Sequence, residues 1–117
     1  MSAYHRSRLI AAVNKFNNKD YFECHEILED IWFDERGDAR DFYQGLLHAA
    51  TAFYHLTKKN NFKGTVLQLE KSMNKLDKYK EPFMGVDIPI LKKQLLNILN
   101  RLKKKEVPKR LPRINLL

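Results

Sequence analysis

The chain has 117 residues, of which 44% are apolar and 31% are charged, and this is the length and composition of one globular domain. We therefore do not expect a two-domain enzyme with a cleft between its domains, and this composition excludes wholesale disorder. The single cysteine, Cys24, and four scattered glycines exclude a disulfide framework, a cysteine zinc site and the glycine-rich loops of nucleotide-binding folds.

The formal net charge of +8 is unevenly distributed along the chain. Residues 20–41 contain nine acids and two arginines, whereas the remainder contains twenty basic residues and five acids. A basic surface can attract an acidic partner, or the acidic helix can lie beside basic neighbours within the fold. The sequence has neither the roughly 20 apolar residues of a spanning helix nor the apolar core of a secretory signal. We therefore expect a cytoplasmic protein without a membrane partner.

Apolar residues recur at spacings of three and four in five segments, and no long stretch alternates strictly. This pattern predicts an all-α fold, a compact bundle of about five helices arranged in antiparallel hairpins. The first two helices are expected over residues 3–16 and 21–33. Asp20 is the expected N-cap of the second helix, with Glu23 as its capping-box partner.

Three further helices are expected. The third begins near Asp38 and contains the uncharged stretch 42–57, which is typical of the most enclosed helix of a bundle. The fourth follows a cap at Asn61. The fifth follows a cap at Asp87 and has Pro89 in its first turn, where the missing N–H of proline costs nothing.

Two glycines lie inside these predicted helices. Gly45 is in the middle of the third helix, where glycine costs roughly 1 kcal/mol relative to alanine. Gly64 lies early in the fourth. We expect both glycines to permit close packing.

The C-terminal region differs in composition from the helices. Pro108 and Pro112 preclude regular helix, and basic residues alternate there with leucine and isoleucine. We therefore expect a single helical domain over residues 1–104 and a basic, proline-containing tail over 105–117. That tail is either an extended strap on the core or a peptide that binds a partner.

The second helix carries a polar pair flanked by aromatic rings. His25 and Glu29 are four residues apart and hence neighbours on one face, between Phe22 and Trp32. We expect both polar side chains to be at least partly buried, and Trp32 to be a core ring. A buried carboxylate needs a partner or a raised pKa, and His25 is the obvious partner for Glu29.

The third helix carries a narrow uncharged polar stripe formed by Gln44, His48, Thr51 and His55. Since a short loop joins the two helices, they are expected to pack antiparallel, which can bring the stripe to His25 and Glu29. Such residues can bind zinc. However, HEILE matches the HExxH zinc motif only halfway, because Glu29 stands where the second histidine is required. We therefore expect no metal and no cofactor.

The polar cluster of His25, Glu29, Trp32, Gln44 and His48 is either a packing device or a binding site. The leading interpretation is a non-enzymatic domain that binds a partner protein or a small ligand. One alternative is a metal-dependent or acid–base enzyme that uses His25 and Glu29. Another is an accessory protein that binds nucleic acid weakly through its basic C-terminal half. A homodimer is a further alternative for the assembly.

Three motifs, in order and suitably spaced, resemble those of domain of unknown function family 309 of bacteria and archaea. They are HxxxExxW at His25, Glu29 and Trp32, QGL at Gln44, Gly45 and Leu46, and an Asn-x-x-Gly turn at Asn61 and Gly64. The resemblance covers about residues 21–88 and implies a small all-helical fold of antiparallel hairpins, with no agreed activity. Family members often have glutamine where this chain has His48. The basic tail lies outside the family pattern.

Overall fold

The structure is a computed structural model that describes residues 3–117, so the first two residues of the predicted domain lie outside the described range. The described residues form five α-helices: α1 (Ala3–Asn17), α2 (Tyr21–Asp34), α3 (Arg40–Lys58), α4 (Phe62–Leu76) and α5 (Ile88–Lys103). The predicted all-α class and the five helices are confirmed. α3 begins two residues later than predicted.

Helix α3 lies at the centre of the bundle. Each helix packs against the next one along the chain, so that α3 contacts α2 on one side and α4 on the other. Its uncharged stretch includes Phe42, Tyr43, Leu46 and Phe53, all with 0% of their surface exposed. Since burying one such side chain contributes roughly 1.5–3 kcal/mol, α3 supplies much of the stability of the core.

Gly45 allows α4 to approach α3 closely. A Cβ atom added at Gly45 would lie only 2.6 Å from Cδ2 of Leu76. The buried hydroxyl of Ser72 also donates a hydrogen bond to the carbonyl oxygen of Gly45, at 2.7 Å. The predicted packing role of Gly45 is therefore confirmed, and the hydrogen bond from Ser72 adds a polar contact between α3 and α4 at the same place.

Side-chain caps fix two of the helix starts. The Oδ1 atom of Asn61 accepts a hydrogen bond from the Gly64 backbone at 2.9 Å, and that of Asp87 accepts one from Ile90 at 3.2 Å. A Cβ atom at Gly64 would lie 2.6 Å from the Asn61 amide, so the glycine keeps room for the cap. Asp20 precedes α2 but makes no side-chain cap hydrogen bond, so the predicted capping box is wrong.

The last five residues, 113–117, form a strap across the ends of α1 and α5. Ile114 is only 2% exposed and belongs to the core. The Asn17 amide exchanges two hydrogen bonds with the backbone of Ile114, at 2.8 and 2.9 Å. The Gln94 amide does the same with Arg113, at 3.0 and 3.1 Å. Two side-chain amides thus give the strap the backbone pairing that a neighbouring strand would supply.

The described chain measures 41 × 27 × 23 Å, and its Cα radius of gyration is 13.2 Å. A compact domain of this length has a radius near 13 Å, so the helices and the strap share one core. None of the helices in residues 3–117 is both long and apolar enough to cross a membrane.

Candidate functional site

The polar pair on α2 lies nearer to solvent than predicted. The Nε2 atom of His25 is 3.6 Å from Oε2 of Glu29, and their side chains are 29% and 58% exposed. His25 is therefore partly buried as expected, but the expected burial of Glu29 is wrong. On a helix of about 3.6 residues per turn, Glu29 lies some 40° further from the buried face than His25 does. An ion pair this exposed contributes at most about 1 kcal/mol.

The polar stripe of α3 does not form one cluster with this pair. His48 turns toward α4, where its Nδ1 atom is 2.8 Å from Oε1 of Gln68. Thr51 donates a hydrogen bond to the Leu47 carbonyl, one turn earlier, at 3.0 Å. Gln44 is half-buried and has no side-chain hydrogen bond among residues 3–117. The predicted site is therefore divided between two faces of α3.

Burial also tunes His48. Removal of the ring from water lowers the pKa of His48 below its ordinary value, and the hydrogen bond with Gln68 partly opposes this shift. The histidine is therefore held toward its neutral form, in which one ring nitrogen donates and the other accepts. The sequence does not reveal the role of Gln68, because nothing in the local pattern separates it from other polar residues. Only the packing of α4 against α3 brings it to His48.

The residues that do come together line a groove between α2 and α3. This groove has a volume of about 190 Å³ and is lined by Phe22, His25, Thr51, Tyr54 and His55. The ring centroids of Phe22 and Tyr54 are 5.6 Å apart, and Phe22 stacks on the His25 ring at 6.3 Å. Phe22 is 47% exposed, so the groove has an aromatic rim that is open to solvent.

One polar atom close to the groove is unsatisfied. The Nδ1 atom of His55 is buried and has no hydrogen-bond partner among the described residues. Leaving such an atom desolvated and unpaired costs about 1–3 kcal/mol. The sequence analysis placed His55 on the polar stripe, but Tyr54 was missed because it reads as one more core aromatic.

Trp32 has a separate role at the other end of α2. The guanidinium carbon of Arg40 lies 4.2 Å from the centroid of the Trp32 ring, a cation–π contact. The same guanidinium donates hydrogen bonds to the carbonyls of Trp32 and Glu35, at 3.0 and 2.8 Å. Arg40 therefore caps the C-terminus of α2 and holds the turn into α3. Trp32 is half-buried and packs against the core rather than within it, so it is not the core ring that was expected.

The described residues offer no cluster of ligands for a metal ion. Within residues 3–117, no three side chains of histidine, cysteine, aspartate or glutamate lie together in a geometry that could hold one. Structural and catalytic zinc sites use three or four protein ligands. The side chains that line the groove offer apolar contact and hydrogen bonds.

A family model described as "Domain of unknown function (DUF309)" matches residues 9–67, which is half of the chain. The chain belongs to this family. The matched range runs from α1 into α4 and includes every residue of the groove, Gly45 and the Asn61 cap, whereas Ser72 and Leu76, which contact Gly45, lie beyond it. It ends before α5 and the strap. The two helices that form the groove, α2 and α3, lie wholly within the matched range.

The chain is also similar to the uncharacterized protein YpuF of Bacillus subtilis (strain 168). The two are 42% identical over 43 residues, which make up 36% of this chain and 25% of the relative. The match thus spans a quarter of the relative's length.

Proposed function

We propose that this DUF309 protein is a non-enzymatic binding domain whose groove between α2 and α3 receives one aromatic side chain of a partner protein. The observation that carries the proposal is the aromatic-rimmed groove with the unpaired Nδ1 atom of His55 beside it. The partner side chain is one with both a ring and a hydrogen-bonding atom, that is, tyrosine or tryptophan. Such residues dominate the binding energy of many protein interfaces.

The size of the groove favours a single side chain over a metabolite. Pockets for complete small ligands usually enclose about 300–1,000 Å³, whereas this groove encloses about 190 Å³. One inserted ring can bury its faces against Phe22 and Tyr54. Because the groove is open on one side, the backbone that carries the ring can remain outside.

The charge around the groove indicates the chemistry of the flanking residues. The exposed side of α2 carries Glu23, Glu26 and Glu29, and Glu29 lies 3.6 Å from His25, which lines the groove. Residues 20–41 together have nine acids against two arginines. Positive groups beside the inserted ring would complement this surface and steer the encounter. On the other side of the groove, Lys59 lies over the Tyr54 ring at 5.8 Å. The partner segment is therefore an aromatic residue with lysine or arginine on the side that faces α2.

Catalysis is less well supported by the same residues. The acid–base alternative rested on a buried carboxylate beside His25, but Glu29 is 58% exposed. A carboxylate that reaches solvent is not held in the water-excluded position that a buried general base occupies.

The test uses two capped tripeptides, Lys-Tyr-Lys and Lys-Ala-Lys, titrated into the ¹⁵N-labelled protein and followed by amide chemical shifts. We expect saturable shifts at Phe22, His25 and the α3 residues of the groove with the tyrosine peptide alone. Thr51→Phe fills the groove and should abolish them. Thr57→Phe is the matched control. Like Thr51, Thr57 donates a hydrogen bond to the α3 carbonyl four residues earlier, that of Phe53, at 2.7 Å, but it lies outside the groove.

Three results would overturn the proposal. The first is an equal response to both peptides, which would show attraction by charge alone. The second is an unchanged response in Thr51→Phe. The third is a set of shifts centred on another part of the molecule.

A further inference from the structure

The net charge of the molecule is concentrated in one segment that lies outside the family match. Residues 92–113 contain nine basic residues and one acid, Glu106, so this segment has a net charge of +8. The whole chain has the same net charge, and the other residues therefore balance to zero. A charge distribution of this kind creates a local positive potential that attracts polyanions.

The segment folds back on itself to form a groove. Two adjoining cavities of about 330 and 310 Å³ lie between α5 and the chain that returns along it, and they share Asn97, Ile98 and Arg110. The polar residues of this basic groove are Lys93, Gln94, Asn97, Arg101, Lys109 and Arg110. No carboxylate is among its lining residues. The Gln94 hydrogen bonds to Arg113 hold the returning chain in place.

Three of the four cations in the basic groove are without an acidic partner. Lys93, Lys109 and Arg110 form no ion pair with any residue in 3–117, while Arg101 pairs with Glu106 at 3.5 Å and with Asn97 at 3.0 Å. Elsewhere in the molecule lysines do find acids, as Lys92 does with Asp77 and Lys103 with Glu70. The basic groove therefore presents unneutralised charge in a concave site.

We propose that the basic groove binds the phosphate backbone of duplex nucleic acid. Lys93 and Arg101 are eight residues apart on α5, a rise of about 12 Å. That distance spans roughly three phosphates of one strand, at about 3.4 Å along the duplex axis for each. Lys109 and Arg110 line the opposite wall of the basic groove. All four of these cations are exposed, so the phosphates of a strand that lies along the basic groove can reach them.

The basic groove also indicates which form of nucleic acid is preferred. Its lining residues include no tyrosine, phenylalanine, tryptophan or histidine. Proteins that hold single strands stack the bases on aromatic rings, and that contribution is absent here. A site that contacts only phosphates gains most from the higher charge density of a duplex. Binding that rests on phosphate contacts alone should be independent of base sequence.

The test is fluorescence anisotropy with a labelled duplex of about twenty base pairs and one of its strands alone, from about 50 to 200 mM salt. Four cations predict a slope of log affinity against log salt of about −3 to −4, or a loss of roughly a hundredfold over this range. The duplex should bind more tightly than the single strand at each salt concentration.

A pair of triple variants with equal charge locates the site. Lys93→Ala, Lys109→Ala and Arg110→Ala together should reduce the slope by about 3 and weaken duplex binding by about tenfold or more. Lys58→Ala, Lys63→Ala and Lys80→Ala together remove the same charge from exposed sites outside the basic groove. This control triple should retain nearly all of the affinity.

The proposal is overturned by four results: no duplex binding at the lowest salt, equal losses in the two triple variants, tighter binding of the single strand, or tighter binding to phosphatidylserine vesicles than to the duplex at the same salt. The last result would assign the basic groove to a lipid surface instead. None of these outcomes affects the aromatic groove between α2 and α3, which is tested separately with tripeptides.

Discussion

The amide group of Asn17 pairs with the backbone of Ile114, although the two residues are 97 positions apart in the chain. Its Nδ2 atom donates to the Ile114 carbonyl at 2.9 Å, and its Oδ1 atom accepts from the Ile114 N–H at 2.8 Å. This places the Ile114 side chain in the core beside the end of α1. One side chain therefore joins the first helix to the C-terminal strap.

Asn17→Ala should lower the free energy of unfolding by about 1–3 kcal/mol, because it removes both hydrogen bonds and leaves two part-buried backbone groups unpaired. Urea denaturation followed by circular dichroism measures the change. Asn18→Ala is the matched control, because Asn18 is exposed and its side chain makes neither of these hydrogen bonds. The two variants having the same urea midpoint would show that Asn17 does not hold the strap.

Gly45→Ala should destabilise the protein by about 1–3 kcal/mol, even though alanine is the better helix former, because the new methyl group would overlap Leu76. A double-mutant cycle with Leu76→Ala provides the control. The space left by the shortened side chain should make Gly45→Ala much less costly in that background. An equal cost in both backgrounds would place the strain somewhere other than the Leu76 contact.

The fold was predictable because it depends on local signals. Periodic apolar residues defined the five helices, and the caps at Asn61 and Asp87 fixed two of their starts. Asp20 is an aspartate like Asp87, yet its side chain makes no capping hydrogen bond. That bond depends on the backbone conformation and side-chain rotamer of the residue, which the sequence does not reveal.

The candidate site was only partly predictable. Helical spacing placed His25 and His55 correctly near one interface, since both lie at the edge of a buried face. It did not show that His48 turns to Gln68, that Arg40 covers Trp32, or that Glu29 reaches solvent. Each of those outcomes depends on the rotation of one helix against another, and a rotation of about 40° decides whether a side chain is buried.

Glu29→Ala and Glu26→Ala should each change the free energy of unfolding by less than about 0.5 kcal/mol. The burial expected for Glu29 from the sequence would give a larger effect there, but that side chain is 58% exposed and its distance to His25 exceeds a hydrogen bond. Parallel urea titrations of the two variants and the parent protein measure the difference. A loss of more than about 1 kcal/mol confined to Glu29→Ala would indicate a buried role for its carboxylate.

Cys24 should be protected from thiol reagents in the native protein. It is fully buried, and burial raises the pKa of its thiol to about 12. Since the thiolate is the reactive form, labelling with a disulfide reagent near neutral pH should be slow until the chain unfolds. Labelling across a urea titration should therefore follow the loss of helical circular dichroism. Rapid labelling without urea would show that α2 opens locally.

His48 should make stability depend on pH below neutrality. Burial lowers the pKa of His48 below 6.5, so the unfolded chain takes up a proton more readily than the native protein does. Stability is then complete above the unfolded pKa and falls as the pH drops below it, until the native pKa is also passed. The free energy of unfolding, measured from about pH 7.5 to 5, should fall less in His48→Gln than in the parent.

Gln68→Leu should have the opposite effect. The hydrogen bond with Gln68 raises the pKa of His48, so its removal should lower the native pKa further and steepen the fall in stability. A flatter profile in His48→Gln together with a steeper one in Gln68→Leu would identify this pair as the source of the pH dependence. Parallel profiles in all three proteins would mean that another group titrates.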